Sequence, residues 1–200
     1  KRSSAASDVY KRQLIITGKY EKGLENGKWN TYFSDNSRQD EGFYTLGEME
    51  GAWKGWFPND NERYTGEYVT NKKNGVWTYW NDNGQKELQE TYKQGVLNGI
   101  RKSWYANNNL RDEGSYSNGK QSGPWTFYHD NTQKMMQANY DDGRINGKVT
   151  SFYNIGTVES EKYYVNGIPH GKFTFYEKRA GQVKRVVKFK KGVKISKEDN

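Results

Sequence analysis

Residues 42–65 read GFYTLGEMEGAWKGWFPNDNERYT, and the segment that follows, 66–89, reads GEYVTNKKNGVWTYWNDNGQKELQ. Aligned without a gap, the two stretches place glycine, tyrosine and tryptophan at the same positions. Self-similarity at a fixed period is the signature of a repeat architecture, in which one small structural unit stacks on the next. The secondary structure that one such unit forms therefore determines the fold.

The period extends over almost the whole chain. One column is always tyrosine: Tyr20, Tyr44, Tyr68, Tyr92, Tyr116, Tyr140 and Tyr164. A second column is always glycine: Gly27, Gly51, Gly75, Gly99, Gly123, Gly147 and Gly171. A third is always aromatic: Tyr32, Trp56, Trp80, Trp104, Tyr128, Phe152 and Tyr176. A fourth is glycine with one exception: Gly23, Gly47, Asn71, Gly95, Gly119, Gly143 and Gly167.

Each unit is typical of two short strands and two turns. Tyr, Trp, Phe and Thr favour the pleated conformation. Closely spaced glycine pairs, such as Gly47 and Gly51, supply the backbone freedom that a hairpin loop needs. We therefore interpret the glycines of the second column as structural turn glycines. Clusters of Asn, Asp and Gly between units form the other turn, and no sustained helical period competes with this interpretation.

We predict an all-β fold: an elongated single-layer antiparallel β-meander of seven 24-residue hairpins plus a C-terminal capping strand. The repeat domain spans 14–192, with units at 18–41, 42–65, 66–89, 90–113, 114–137, 138–161 and 162–186 and a partial unit at 187–192. This gives fourteen strands and a fifteenth near 183–190. At about 4.8 Å per strand the sheet extends about 70 Å, and we expect its twist to make one face concave.

The two ends of the chain differ from the repeats. SSAASDVYKRQ at residues 3–13 resembles the in-frame translation of a common transposase-end sequencing adapter. We therefore expect 1–13 to be a non-native, disordered leader, with the natural start upstream and the compartment unknown. Residues 14–177 hold 19 basic and 21 acidic side chains, whereas 178–200 hold nine basic and two acidic ones. Residues 193–200 are predicted to form a basic tail.

Composition excludes several classes of protein. The chain has no cysteine and two histidines, His129 and His170, which belong to different repeats. Disulfide frameworks, zinc ribbons and thiol nucleophiles are therefore excluded, and no metal or cofactor is expected. No apolar run approaches the roughly 20 residues that span a bilayer. The histidines fall at a strand and a turn position, and the acidic residues at turns, so no catalytic group is assembled and we do not expect an enzyme.

At these residues the chain resembles the MORN (membrane occupation and recognition nexus) repeat family, in a bacterial variant with a Gly-x-Trp-x-x-Tyr second strand. The resemblance covers residues 18 to about 192. It implies a single-layer sheet used as a scaffold or binding surface. Some eukaryotic members are linked to phospholipids, and many bacterial members are labelled YwqK-type antitoxins. A second resemblance, to choline- and glucan-binding cell-wall repeats, is weaker because those units open with Gly-Trp and have shorter loops.

The aromatic columns are the candidate binding surface, although a single-layer sheet also needs such ladders for its own stability. The candidates are Trp29, Trp53, Trp77, Trp125, Tyr32, Trp56, Trp80, Trp104 and Tyr128. A basic patch near the C-terminus could bind anionic lipid or nucleic acid, or could protect a terminal sheet edge. Its members are Lys184, Arg185, Lys188, Lys190, Lys191 and Lys194. Edge protection is favoured because the basic residues do not continue along the sheet.

The sequence therefore predicts a non-catalytic repeat scaffold that binds a protein partner through its aromatic-lined sheet, with an antitoxin or immunity protein as one form. A membrane- or anionic-lipid-associated module is the first alternative, and a carbohydrate or cell-wall binder is the second. Nucleic acid is not an expected partner, because the repeat body is close to neutral.

Overall fold

The computed structural model describes residues 15–179 and 181–199, so the predicted leader lies outside the described residues. The strands are β1 (Ile15–Glu21), β2 (Leu24–Tyr32), β3 (Arg38–Thr45), β4 (Glu48–Trp56), β5 (Glu62–Val69), β6 (Lys72–Trp80), β7 (Lys86–Lys93), β8 (Val96–Trp104), β9 (Leu110–Ser117), β10 (Lys120–Tyr128), β11 (Lys134–Asp141), β12 (Arg144–Ile145), β13 (Gly147–Phe152), β14 (Val158–Val165), β15 (Ile168–Pro169), β16 (Gly171–Tyr176), β17 (Val183–Lys190) and β18 (Val193–Asp199).

The eighteen strands of the described residues belong to one sheet, and successive strands pair antiparallel. The exceptions are β12 and β13, which both pair with β11, and β15 and β16, which both pair with β14. The predicted meander of hairpins is thereby confirmed. The second strands of the last two units are interrupted, at Asn146 and His170. Pairing continues across both interruptions, because the Asn146 amide donates to the Asn139 carbonyl (2.8 Å) and the His170 amide to that of Tyr163 (2.9 Å).

The C-terminal end holds one strand more than the sequence predicts. The fifteenth strand is present as β17, but the segment interpreted as a basic tail forms β18 and pairs with β17 from Lys190–Val193 to Arg185–Asp199. The cause is a further turn at Lys191 and Gly192, where φ is 47° and 82°. This turn repeats the conformation of the other hairpins, so the chain reverses and adds a strand.

The hairpin turns are made by two residues, both at positive φ. In the second unit these are Leu46 (φ 48°) and Gly47 (φ 86°), and in the third Thr70 (50°) and Asn71 (62°). Positive φ at both central residues defines a type I′ turn, whose twist matches that of the flanking strands. The fourth sequence column, with its single asparagine, therefore supplies the second turn residue.

The glycines that we interpreted as turn residues lie instead inside the second strands. Gly51 is in β4, beyond the turn glycine Gly47, and has φ of 67°. Opposite β3, three residues of β4 (Gly51, Ala52 and Trp53) stand against the single residue Gly42. Positive φ in a strand marks a bulge. The second glycine column therefore bends the strand, and a sequence cannot distinguish this demand for positive φ from that of a turn.

The bulge lets the tryptophan two residues after it lie flat on a glycine of the preceding strand. A Cβ atom at Gly42 would be 2.2 Å from the Trp53 ring. The same arrangement joins Trp29 to Gly18. Edge-to-face contacts with the tyrosine column complete a ladder, with ring centroids 5.3 Å apart for Tyr44 and Trp53. We call the side of the sheet that bears these tryptophans the Trp face, and the other side the opposite face.

Both long edges of the sheet are held by contacts between units. At the turn edge, the amide of each turn's second residue donates to a carbonyl of the preceding unit, as Gly47 does to Glu25 (2.8 Å) and Gly95 to Lys73 (2.8 Å). At the loop edge, Asn59 donates to the Asp82 carbonyl (2.7 Å). These contacts recur from unit to unit, so neighbouring hairpins are fixed relative to one another.

Candidate functional site

The four tryptophans of the first candidate group are packing residues on the Trp face. Trp29, Trp53, Trp77 and Trp125 have 9%, 7%, 1% and 2% of their surface exposed. Each is enclosed by tyrosines of the column that begins with Tyr20. Their indole rings therefore offer almost no surface to a ligand, and the structure places them in the core rather than on a binding platform.

The second candidate group lies in one row on the opposite face. Its members Tyr32, Trp80, Trp104 and Tyr128 are half-buried, whereas Trp56 is 5% exposed. Two of the indoles are covered by cations of the chain itself. The Arg38 guanidinium lies 4.4 Å from the Trp56 ring centroid, and the Lys86 ammonium 5.3 Å from that of Trp104.

The centre of the opposite face exposes apolar side chains that sequence reasoning missed. Val76 and Ile100 are 54% and 56% exposed. They belong to cross-strand pairs that follow one another along the sheet: Ala52–Glu67, Val76–Thr91, Ile100–Ser115 and Pro124–Asn139. Towards both ends the equivalent pairs carry lysine: Lys28–Phe43, Lys148–Tyr163 and Lys172–Lys188. The face thus has a weakly charged centre with lysines on either side. The signal available in the sequence was the alternation of side chains between the two faces of each strand, which puts these apolar residues on the face opposite the ladder tryptophans.

Carboxylates beside this strip are held by lysine and tyrosine. Lys102 lies 3.1 Å from Glu113, which also accepts a hydrogen bond from the Tyr128 hydroxyl (2.9 Å). The hydrogen bond from Lys102 lowers the pKa of Glu113, against a smaller opposing effect of burial. Lys148, Glu161 and Tyr176 make similar contacts two units further on, with the lysine two positions earlier in its strand than Lys102. The pKa of Glu161 is lowered for the same reason.

The fourth unit replaces the tryptophan of the ladder by a charged cluster. Arg101 stands where the other units have an apolar residue, tryptophan in four of them, and it pairs with both Glu90 (3.5 Å) and Asp112. Asp112 also accepts from the hydroxyl of Ser103, which is fully buried. Arg111 lies 3.2 Å from Asp112. Every charge in the cluster has a partner, so the cluster fills a position in the ladder as a packing element.

Next to this cluster, an ammonium group is enclosed by aromatic rings. Lys73 lies 4.4 Å from the ring centroid of Trp77, 5.2 Å from that of Tyr79 and 5.3 Å from that of Tyr92. It also donates to the Tyr79 hydroxyl at 2.7 Å. Because burial disfavours the phenolate, it raises the pKa of Tyr92, and the hydrogen bond to Glu90 raises it further. The cage is filled by the chain itself.

The six residues of the predicted basic patch do not share one surface. Alternation along β17 puts Arg185 on the Trp face and Lys188 and Lys190 on the opposite face, while Lys191 lies in the turn and Lys194 is paired with Phe189. Arg185 covers the Phe175 ring at 4.3 Å, and Lys184 pairs with Glu177 at 3.5 Å. The positive charge is therefore divided between the two faces.

The two histidines are in structural positions. The Nε2 atom of His129 is 3.0 Å from the Phe152 carbonyl, where the equivalent Tyr105 and Tyr153 hydroxyls contact the carbonyls of Tyr128 and Tyr176. His170 stands at the interruption between β15 and β16. Over residues 15–179 and 181–199, no group of three acidic or histidine side chains has metal-binding geometry. The same residues include no helix that is both long and apolar enough to cross a membrane.

Comparison with known families agrees with this geometry. Residues 73–94 and 97–118 both match the family model described as MORN repeat variant. The two matches begin one repeat apart, and each spans the second strand of one unit and the first strand of the next. No curated protein matches the chain. The matched segments share their register with all seven units of one sheet, so the comparison supports a repeat architecture of the MORN type for this chain.

Proposed function

We propose that this protein is a non-catalytic scaffold that binds a protein partner on the opposite face of its sheet. MORN repeats are generally non-enzymatic scaffolds and often act in binding. The observation that carries the proposal is the exposed apolar centre of that face, with Val76 and Ile100 more than half exposed. Exposed apolar surface with little charge is typical of the centre of a protein interface.

The flanking residues indicate the chemistry of the partner. Lys28, Lys148 and Lys172 lie on the same face towards its two ends. An apolar patch bordered by acidic side chains would complement this arrangement, because opposite potentials steer association and fix orientation. A toxin neutralised by the scaffold would be one partner of this kind.

The rigidity of the sheet also supports binding. Hydrogen bonds join successive turns on one edge and successive loops on the other. A surface that is ordered before binding loses less conformational entropy on association. The two alternatives have less support, since Trp29, Trp53, Trp77 and Trp125 are buried and the basic patch is divided between faces.

Site-specific photo-crosslinking in the source organism tests the proposal. A benzophenone amino acid is placed at Val76 or Ile100, and as a matched control at Leu97, which is on the Trp face of the same strand as Ile100. We expect one protein adduct from both positions of the opposite face and none from the control. The Val76→Lys/Ile100→Lys variant should melt as the wild type does and lose the partner in affinity capture. No adduct, or the same adducts from all three positions, would contradict the proposal.

A further inference from the structure

The aromatic row of the opposite face contains two indole rings that are each covered by a cation of the chain itself. We call the face of such a ring, where an organic cation can stack, a seat. Arg38 covers Trp56, and Lys86 covers Trp104. In both cases the cation begins the first strand of a hairpin, and the tryptophan ends the second strand of the same hairpin. The repeat thus builds the same contact twice, at equivalent positions in two of its units.

Among the described residues, no cation covers the equivalent seat at Trp80, which lies between these two. The residue that corresponds to Arg38 and Lys86 in this unit is Glu62, whose carboxylate lies 3.5 Å from Lys54. Lys86 is the cross-strand neighbour of Trp80, but its ammonium extends to Trp104. Within the part of the chain that the structure describes, the half-buried Trp80 ring makes no aromatic or cation–π contact.

An open cleft of about 520 Å³ lies beside this ring, and its lining includes Phe57, Trp80, Asp82 and Glu87. The lining residues that the structure describes include two carboxylates and no basic side chain. Among residues 15–179 and 181–199, neither the Asp82 nor the Glu87 carboxylate has a hydrogen bond or ion pair. The backbone beneath is fixed, since the Asn59 and Asn61 amides both donate to the Asp82 carbonyl (2.7 and 2.8 Å).

We propose that the cleft at Trp80 binds an organic cation from outside the chain, and that this cation is an arginine side chain of the protein partner. An indole face attracts a cation through its quadrupole, and tryptophan does so most strongly of the aromatic side chains. Two unpaired carboxylates beside the ring add attraction of the same sign. Both effects select against anions.

The two cation–indole contacts within the chain favour arginine over other cations. Arg38 approaches its indole more closely than Lys86 does, at 4.4 Å against 5.3 Å. A planar guanidinium can stack on the ring while its N–H groups reach a carboxylate. The identity of the cation's source rests on the proposed function, whereas the chemistry of the seat does not.

The seat is tested with short peptides and the full chain labelled with ¹⁵N at its tryptophan indoles. The seven indole N–H signals are recorded during titration, and the Trp80 signal is assigned with Trp80→Phe. We expect the peptide acetyl-Gly-Arg-Gly-amide to shift the Trp80 signal saturably, and acetyl-Gly-Gln-Gly-amide to leave it unchanged. Asp82→Asn/Glu87→Gln should weaken the arginine peptide about tenfold, as expected for loss of charge-assisted contacts. Tetramethylammonium provides the second arm, and tighter binding of this ion than of the arginine peptide would overturn the assignment to arginine.

Two further variants separate the seat from general electrostatics. Glu62→Arg places a cation where Arg38 stands relative to Trp56, so it should abolish the shift by filling the seat. Glu48→Arg makes the same charge change at the exposed turn edge and should bind as the wild type does. Asp60→Asn removes a carboxylate from the loop that contributes Phe57 and Asn59 to the cleft, at a φ of 64° that asparagine tolerates, and should also bind normally.

The proposal is overturned if no arginine-dependent shift occurs, or if Glu48→Arg weakens binding as much as Glu62→Arg. The result is independent of the partner-binding face, because the Val76→Lys/Ile100→Lys variant should retain the full peptide response. If this variant loses the partner but keeps the peptide response, the proposed seat at Trp80 is retained. If the wild type captures a partner but gives no peptide response, the seat is refuted and the proposed function is not.

Discussion

The indole of Trp77 lies directly on the backbone of Gly66, so closely that a Cβ atom at residue 66 would be 2.2 Å from ring atom Cδ2. The same pairing joins Trp125 to Gly114. In the sixth unit both residues differ together, because Val149 replaces the tryptophan and Ala138 the glycine. Ring and glycine therefore form one packing unit across two neighbouring strands.

Gly66→Ala should destabilise the protein by about 1–3 kcal/mol, because the rigid indole must move to admit a methyl group. Trp77→Val should cost about 3 kcal/mol or more through the cavity it leaves. The double variant Gly66→Ala/Trp77→Val reproduces the alanine–valine pair of the sixth unit. Its loss of unfolding free energy should therefore be smaller than the sum of the two single losses by at least about 0.5 kcal/mol. Urea unfolding of the four proteins measures this coupling, and strict additivity would contradict it.

The charged cluster of the fourth unit predicts a second coupled pair. Arg101→Trp alone brings an indole onto the side chain of Glu90, where the four units with a ladder tryptophan have glycine, and we expect a loss of stability. Adding Glu90→Gly provides the missing space and should recover about 1 kcal/mol or more of it. Asp112 keeps Ser103 and Arg111 as partners in both variants. Thermal melting of the two proteins decides the prediction, and a double variant no more stable than Arg101→Trp would contradict it.

Acid should destabilise the fold partly through Glu113 and Glu161, whose pKa values are lowered by lysine hydrogen bonds. A carboxyl with a lower pKa in the folded state contributes stability above its unfolded pKa of about 4.3. This contribution is lost as the pH falls through the folded pKa. Melting temperatures between about pH 6 and pH 2.5 should therefore decline less steeply in Glu113→Gln/Glu161→Gln than in the wild type. Glu48→Gln, at an exposed turn position, is the control and should follow the wild-type curve.

Gly99→Val should destabilise the protein far more than Lys102→Ala on the same strand. Gly99 has φ of 128°, and a Cβ atom there would be 2.8 Å from Cβ of Thr91. Backbone strain and this clash should together cost about 2 kcal/mol or more. Lys102 loses one exposed ion pair with Glu113, which is worth under about 1 kcal/mol. Equal melting temperatures for the two variants would contradict the bulge conformation assigned to Gly99.

Tandem repetition made the fold accessible from the sequence, since the tyrosine and glycine columns establish the hairpin, its length and its neighbours. The role of Gly51 was not accessible, because a bulge and a turn make the same demand for positive φ. The burial of Trp53 was missed for a related reason. Alternation predicts which face a side chain occupies, but only the bulge lets the ring lie flat on Gly42. The shared departures at Arg101 and Glu90 were the available signal for that contact.

The hydrogen bonds that join successive turns have a mechanical consequence. The N-terminal strand β1 and the C-terminal strand β18 are at opposite ends of the sheet, so a force that separates the two ends loads the hairpins one after another. Each hairpin that peels away releases one repeat of the sequence, or about 80 Å of extended chain. The backbone amides of Gly47, Gly95 and their equivalents add one hydrogen bond between units that must break before each hairpin separates. Under tension the molecule should therefore lengthen in nearly equal increments, one for each of its seven repeats.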